Sequence, residues 1–234
     1  MSIKRPGGFE LTDHVIDLCK FPEGAGILDI GCGEGDTCLH LQEKYGYQVT
    51  GIDTSPLVIE EGLKRHPGLD LRVGDGEFLE DFPSASFDGV MMECVLSLTN
   101  MPEEALHEAY CVLRKGGKLI LTDLYRKDAD QGLITAAKIN ADRSNLRPKH
   151  HGECDETRKD RPSEYRVSNL LLIQPLSDEI ERLGFSINVW EDRSSDLASY
   201  AAEIIMEKGS LEGAICREDR NKHTGYFMMV ATKL

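Results

Sequence analysis

Apolar positions recur along this chain in two rhythms, and the rhythms alternate. Leu11, Val15, Ile16, Leu18 and Cys19 fall at helical spacing, which predicts a helix over Leu11–Lys20. "GILDI", "QVTGID", "LDLRVGD", "FDGVMME" and "KLILTDLY" are short runs of strand character. Helical patterns lie between them. "DTCLHLQEKYG" ends on Gly46, and "SPLVIEEGLKRHPG" offers Ser55 as N-cap with Pro56 at the first helical position. "PEEALHEAYCVLRKGG" lines up Leu106, Ala109, Tyr110 and Leu113 and is closed by two glycines. Further on, "SDEIERLGF" predicts a short helix and "SINVWED" a sixth strand. "DLASYAAEIIMEKG" predicts a helix capped by Asp196 with Gly209 past its end, and "YFMMVATKL" a seventh strand.

Strands alternating with helices imply right-handed crossovers. The expected fold is therefore α/β, doubly wound, with a seven-stranded, mostly parallel sheet. Runs as continuously apolar as "KLILTDL" suit strands covered on both faces. The short link "REDRNKHTG" lets the last strand double back, so an antiparallel final strand is expected. Residues 1–234 read as one domain. Its rhythm breaks at about 126–169, where a weak helix near "GLITAAKI" precedes a polar, charged stretch. A long insertion after the carboxyl end of strand five hangs over the binding edge of such a sheet, which implies a lid.

Composition narrows the function. Apolar residues make up 40% of the 234 and charged residues 29%, as in a soluble globular protein. The net charge of -14 repels a phosphate backbone, so nucleic acid is not an expected partner. No run approaches the ~18 apolar residues of a membrane span, and the N-terminus lacks a signal-peptide core, so a cytoplasmic protein is expected. Seven scattered cysteines without a CxxC pair read as free thiols. His150, His151 and Cys154 do not form a metal-ligand pattern, so no metal site is expected. Trp190 is expected to pack at an end of the sheet. The consecutive Ile204, Ile205 and Met206 predict either core on two sides of a helix or a dimer face, hence a monomer or a homodimer.

The chemistry concentrates in "ILDIGCGEGD". Gly31, Gly33 and Gly35 follow a strand and precede a helix, where a backbone without Cβ turns tightly and approaches a ligand closely. The spacing is G-x-G-x-G, not the dinucleotide G-x-G-x-x-G, whose third glycine would fall at Asp36. Glu34 and Asp36 add negative charge beside the helix start, which disfavours a pyrophosphate and suits a cation. A phosphate-binding P-loop is excluded by the missing G-K-[ST]. Asp53, 18 residues beyond Gly35 at the end of strand two, is placed to accept from ribose hydroxyls. A nicotinamide dehydrogenase shares that acid but not the glycine spacing.

On these residues the chain resembles the class I S-adenosylmethionine-dependent methyltransferases. "LDIGCGEGD", "GID", "GDGEFLEDFPSASFDGV" and "VLRKGGKLILTD" match family segments in order over Ile27–Leu124. The resemblance implies S-adenosylmethionine as cofactor and S-adenosylhomocysteine as product. It implies that Asp29 supports the methionine ammonium end and that Gly31, Cys32, Gly33 and Gly35 form the backbone cradle. By the same resemblance Asp53 holds the ribose with Thr54 beside it, Asp75 and Gly76 meet the adenine, and Glu93 faces the methionine part and the methyl group. The last family strand is antiparallel.

The acceptor is expected to be a small molecule, since no NPPY or DPPY follows strand four. Glu93, Asp123 and Tyr125 are the candidate bases or orienting groups. Each has a simpler alternative: Glu93 as a cofactor contact, Asp123 as a cap and Tyr125 as a wall. Cys94 allows an arsenite-type methyltransferase as one alternative function, although paired cysteines are not evident. A non-catalytic S-adenosylmethionine-binding module is another.

Overall fold

The computed structural model describes residues 5–145, 164–167, 169–208 and 223–234. Its elements run α1 (Gly8–Cys19), β1 (Gly26–Ile30), α2 (Asp36–Tyr45), β2 (Gln48–Asp53), α3 (Pro56–Arg65), β3 (Asp70–Val73) and β4 (Phe87–Glu93). A 3-10 turn at Leu96–Leu98 leads into α4 (Pro102–Val112) and β5 (Leu113–Arg126). Then come α5 (Gln131–Asn145), β6 (Arg166–Val167), β7 (Leu170–Leu171), α6 (Ile173–Arg182), β8 (Phe185–Asp192), α7 (Ser194–Lys208) and β9 (Thr224–Lys233).

The main sheet has the order β3-β2-β1-β4-β5-β9-β8, parallel from β3 to β5, with β9 antiparallel to both of its neighbours. This is the expected doubly wound sheet with the last strand reversed. β6 and β7 were not legible in the sequence. They form a two-residue hairpin that meets β5 at the single pair Tyr125–Leu171, beyond the end of β4.

Alternation along the central strands fills two apolar layers. Leu28, Ile30, Val90, Met92, Leu119 and Leu121 face α4 and α6, where Leu106, Ala109, Leu176 and Ile180 meet them. Ile27, Met91, Ile120, Tyr226 and Met228 face the other way, against Leu11, Val15 and Ile16 of α1 and Leu41 of α2. Strands covered on both sides carry apolar residues at successive positions, which accounts for the unbroken runs in the sequence.

Ser55 caps α3 as expected, accepting from Val58 N at 3.4 Å with Pro56 at the first position. Three boundaries differ from expectation. α1 starts at Gly8, not Leu11, because Gly7 takes a left-handed conformation at φ 75° and ends the preceding turn. α4 stops at Val112, before the two glycines. β5 pairs with β4 from Leu113, and the register shift between Phe87 and Gly89 absorbs Gly116, whose φ is 80°. α7 starts at Ser194, so Asp196 is not its cap. Asp192 accepts from Ser194 N at 2.9 Å and from the Ser194 hydroxyl, while Asp196 pairs with Arg193 Nε at 2.8 Å.

The first part of the insertion is helical. Ile134 and Ala137 of α5 bury against Leu172 in a small third cluster. Most of the polar part of the expected lid lies outside the described residues, as do His150, His151, Cys154 and Gly209. Trp190 sits on β8 at the sheet edge, edge-to-face with Tyr125 at 5.9 Å. Ile204 is buried, whereas Ile205 and Met206 are exposed. Among the described residues no helix is long and apolar enough to cross a membrane.

Candidate functional site

The site is built where β1, β2, β3 and β4 end. The chain leaving β1 turns at once: Gly31 N and Cys32 N both donate to Ile52 O, at 2.8 and 3.0 Å, and Gly35 N donates to Cys32 O at 3.0 Å. Gly31 and Gly33 have φ of 72° and 58°, left-handed values that favour glycine. Their surroundings differ. A Cβ on Gly31 would lie 2.3 Å from Val95 Cγ2, so this glycine lets the loop after β4 approach. A Cβ on Gly33 would meet nothing within 4 Å, so the backbone there faces open space.

Asp53 ties this loop to the next strand. Its Oδ2 accepts from Gly33 N at 3.1 Å and its Oδ1 from Ser55 N at 2.9 Å. A carboxylate has about four acceptor positions, so these two bonds orient Asp53 and leave capacity for hydroxyl donors. Thr54 beside it is exposed. Gly74 N donates to Asp53 O at 3.0 Å, and this carries the next loop to the same edge. There Asp75 Oδ1 accepts from Glu77 N at 3.0 Å, Asp75 pairs with Phe78 across a short turn, and Gly76 is buried.

The two acids inside the glycine loop point elsewhere. Glu34 forms an ion pair with Arg65, and Asp36 meets Arg65 at 3.6 Å and His66 at 3.1 Å. Both are committed to the end of α3 and do not supply the negative field the sequence suggested. α3 can approach because residue 62 is glycine: a Cβ there would lie 2.6 Å from Glu34 O.

The acids that do stand at the loop are Asp29 and Glu93, and neither carries a free charge: the first is raised toward neutrality and the second is paired. Asp29 is buried, with Cys38 Sγ donating to its Oδ2 at 3.4 Å. Burial, and then the Glu93 charge, push its carboxyl up to about 7, while Arg5 pulls in the opposite direction. Glu93 lies at the end of β4 and is tightly held. Its Oε2 pairs with Arg5 Nη2 at 2.8 Å, and it accepts from Thr12 Oγ1 at 3.1 Å and Thr37 Oγ1 at 3.4 Å. Arg5 also donates to Thr37 Oγ1 at 3.0 Å and to Thr12 Oγ1. This network joins the segment before α1, α1 itself, the first turn of α2 and the end of β4. Sequence reasoning missed Arg5, Thr12 and Thr37. One signal was present: Thr12 is a polar residue within the apolar stripe of α1, and it is buried.

Asp123 is not poised toward an acceptor. It is buried, and it accepts from Ser97 N at 2.8 Å, Ser97 Oγ at 2.7 Å and Leu124 N at 2.7 Å, which fixes the loop after β4. Arg166 steadies the same loop by donating to Ser97 O at 2.8 Å and Thr99 O at 2.6 Å. Tyr125 is a core wall, edge-on to Trp190 and to Phe227, and burial raises its hydroxyl. Of the three candidate bases, Glu93 alone joins the cluster around the loop.

Cys94 adopts a left-handed φ of 60° at the turn after Glu93, with its Sγ 3.1 Å from the Tyr226 hydroxyl, which donates to Thr122 Oγ1 at 3.0 Å. Burial pushes this thiol up to about 12, so it does not present the thiolate that a soft acceptor such as arsenite wants. Cys19, Cys32, Cys38, Cys94 and Cys111 are free. Among the described residues no three His, Cys, Asp or Glu gather as a metal site.

Residues 28–121 match a methyltransferase domain family, a span that runs from β1 through the glycine loop to β5. The chain is 32% identical to ajmaline N-methyltransferase of Rauvolfia serpentina over 129 residues, covering 50% of this chain and 44% of that one. It is 34% identical over 124 residues to an S-adenosyl-L-methionine-dependent Diels-Alderase of Talaromyces variabilis, covering 50% of this chain and 42% of that one. It thus spans less than half the length of these relatives. The fold matches that of a Haemonchus contortus phosphoethanolamine N-methyltransferase crystallised with S-adenosyl-L-methionine. The TM-score is 0.69 at 16% identity, over 98% of this chain and 53% of that one. Residues 28–121 of this chain thus match a methyltransferase domain, and the sheet order is that of the methyltransferase Rossmann-like fold.

Proposed function

We propose that this protein transfers a methyl group from S-adenosylmethionine to a small-molecule acceptor, leaving S-adenosylhomocysteine. One observation carries the reading. Asp53 is locked by Gly33 N and Ser55 N beside a left-handed glycine whose missing Cβ opens onto free space. A ribose-bearing ligand fits that geometry, and a cationic one suits a raised Asp29 carboxyl that can release its proton beside it, with the Arg5-paired Glu93 next to it. When bound, S-adenosylmethionine supplies a methyl group activated on a sulfonium.

In this reading the chain's own residues bind and orient. Asp29 and the backbone of Gly31, Cys32, Gly33 and Gly35 hold the methionine end, Asp53 with Thr54 the ribose, and Asp75 with Gly76 the adenine. Glu93 stands nearest the transferred group. An in-line displacement from a good leaving group depends mainly on alignment and exclusion of water. The 126–169 insertion is read as part of that enclosure within a single domain. A small acceptor, and not nucleic acid, suits the net charge of -14; the enzyme is read as cytoplasmic and as a monomer or homodimer. The relatives named for ajmaline and phosphoethanolamine N-methylation make an amine the first acceptor class to try.

The Diels-Alderase relative favours a second reading, in which the fold holds S-adenosylmethionine without transferring its methyl group. Incubation with S-adenosylmethionine and a panel of small amines, followed by mass spectrometry, separates the two. Formation of S-adenosylhomocysteine with a methylated amine supports transfer. Retention of intact S-adenosylmethionine by the protein with no turnover of any acceptor favours the second reading.

A further inference from the structure

We infer that Arg5 sets how strongly this site prefers a cationic sulfonium ligand over the neutral thioether left after methyl loss, by balancing the charge of Glu93. The inference rests on the proposed function, because it places Glu93 beside the donor's methyl group.

The geometry is specific. Arg5 arrives from outside the sheet, on a segment where Pro6 is buried and Gly7 and Gly8 both take left-handed φ, 75° and 50°. It reaches the end of β4, pairs with Glu93 at 2.8 Å, and is braced by the Thr12 and Thr37 hydroxyls. The side chains of Arg5 and Glu93 are 12% and 6% exposed, so solvent screens their charges weakly. Asp29, Cys94 and Tyr226 are the other titratable groups that act on Arg5. A guanidinium in this position cancels most of the Glu93 charge while leaving its carboxylate in place.

A sulfonium offers no hydrogen bond, so the site distinguishes it from a thioether through the local field. On methyl transfer an acceptor lone pair would form a bond to the methyl carbon as the carbon–sulfur bond breaks, the old bond's electron pair would stay on sulfur, and one positive charge would pass from the donor to the acceptor. With Arg5 present, the field at Glu93 is near balance and the charge lost matters little, which eases product departure. Without Arg5, Glu93 is uncompensated and a cation is held preferentially.

The test is isothermal calorimetry of S-adenosylmethionine and S-adenosylhomocysteine at about pH 8.5, on the full chain and on Arg5→Met, Arg5→Lys and Glu93→Gln. The readout is the ratio of the two affinities. Arg5→Met is expected to shift it toward S-adenosylmethionine roughly ten-fold, from a charge removed several ångströms away in a weakly screened site. Arg5→Lys keeps the charge and stays near the parent ratio, and Glu93→Gln moves the ratio the opposite way. If Arg5 merely braces the fold or grips the ligand's carboxylate, both affinities change together and the ratio stays constant, which overturns the inference. If Arg5→Met does not fold, as judged by circular dichroism, the Glu93→Gln ratio decides: a fall supports the inference, and no change overturns it. If the parent protein binds neither compound, the functional reading fails and takes the inference with it.

Discussion

Asp29→Asn removes a carboxyl that the fold buries completely between β1 and α2, beside Glu93. Its ordinary value is 3.8, and in the folded protein burial and Glu93 carry it up to about 7. The sign follows from proton counting. Between these two values the unfolded chain has released the proton while the native protein keeps it, so the native state binds more protons and stability falls as pH rises. The loss begins near 3.8, accumulates through the window and ends near 7, where both states are ionised. Its full size is on the order of 4 kcal/mol, at about 1.4 kcal/mol for each pH step. Asparagine cannot ionise, so the variant lacks this slope. Urea denaturation of both proteins at intervals from about pH 4.5 to 8 measures it. The variant should gain on the parent steadily up to about pH 7 and hold a constant lead above that. Parallel profiles through the window, or a parent protein that gains on the variant as pH rises, would refute the claim that Asp29 is held as a neutral acid. A cationic ligand should draw the proton off, so S-adenosylmethionine binding should tighten as pH rises toward 7 in the parent and lose that dependence in Asp29→Asn.

Substitutions at three further positions probe the edge of the sheet. Gly33→Ala places a methyl group in open space at a left-handed φ, so urea melts should show a loss of about 1–2 kcal/mol with a disproportionate loss of cofactor affinity. Gly31→Ala adds a collision with Val95 to the same backbone strain and should cost more than Gly33→Ala; the reverse order in the same melts would contradict the packing described. Asp123→Ala strands the Ser97 N–H and hydroxyl in the core, so a stability loss of about 2–4 kcal/mol is expected. Asp123→Asn should keep any measurable turnover and its pH profile, and loss of turnover together with the acid limb of that profile would restore Asp123 as a base.

What the sequence revealed depended on distance along the chain. The strand–glycine–helix unit at Ile27–Tyr45 and the Ser55–Pro56 cap are written in adjacent residues, so local rules find them. Asp53 was legible because its place after β2 follows from the strand pattern, although its bonds to Gly33 and Ser55 did not. The charge of the site was misread, because Glu34 and Asp36 looked free until α3 brought Arg65 and His66 to them. The acids at the loop are instead Asp29, raised toward neutrality by burial, and Glu93, paired with Arg5 from the start of the described chain. The roles of Asp123 and Tyr125 were similarly set by tertiary partners, Ser97 for one and an aromatic cluster for the other. The β6–β7 hairpin is two residues a side, too short to leave a period in the sequence.

In the proposed function, the loop after β1 and Asp53 together seat an S-adenosyl ligand. Calorimetric titration with S-adenosylmethionine, with NAD as the comparison, tests it most directly on the parent protein and Asp53→Ala. The parent should bind S-adenosylmethionine saturably at micromolar levels, Asp53→Ala at least about ten-fold more weakly, and NAD should give no heat. Absence of binding by the parent, or NAD bound more tightly than S-adenosylmethionine, would contradict it.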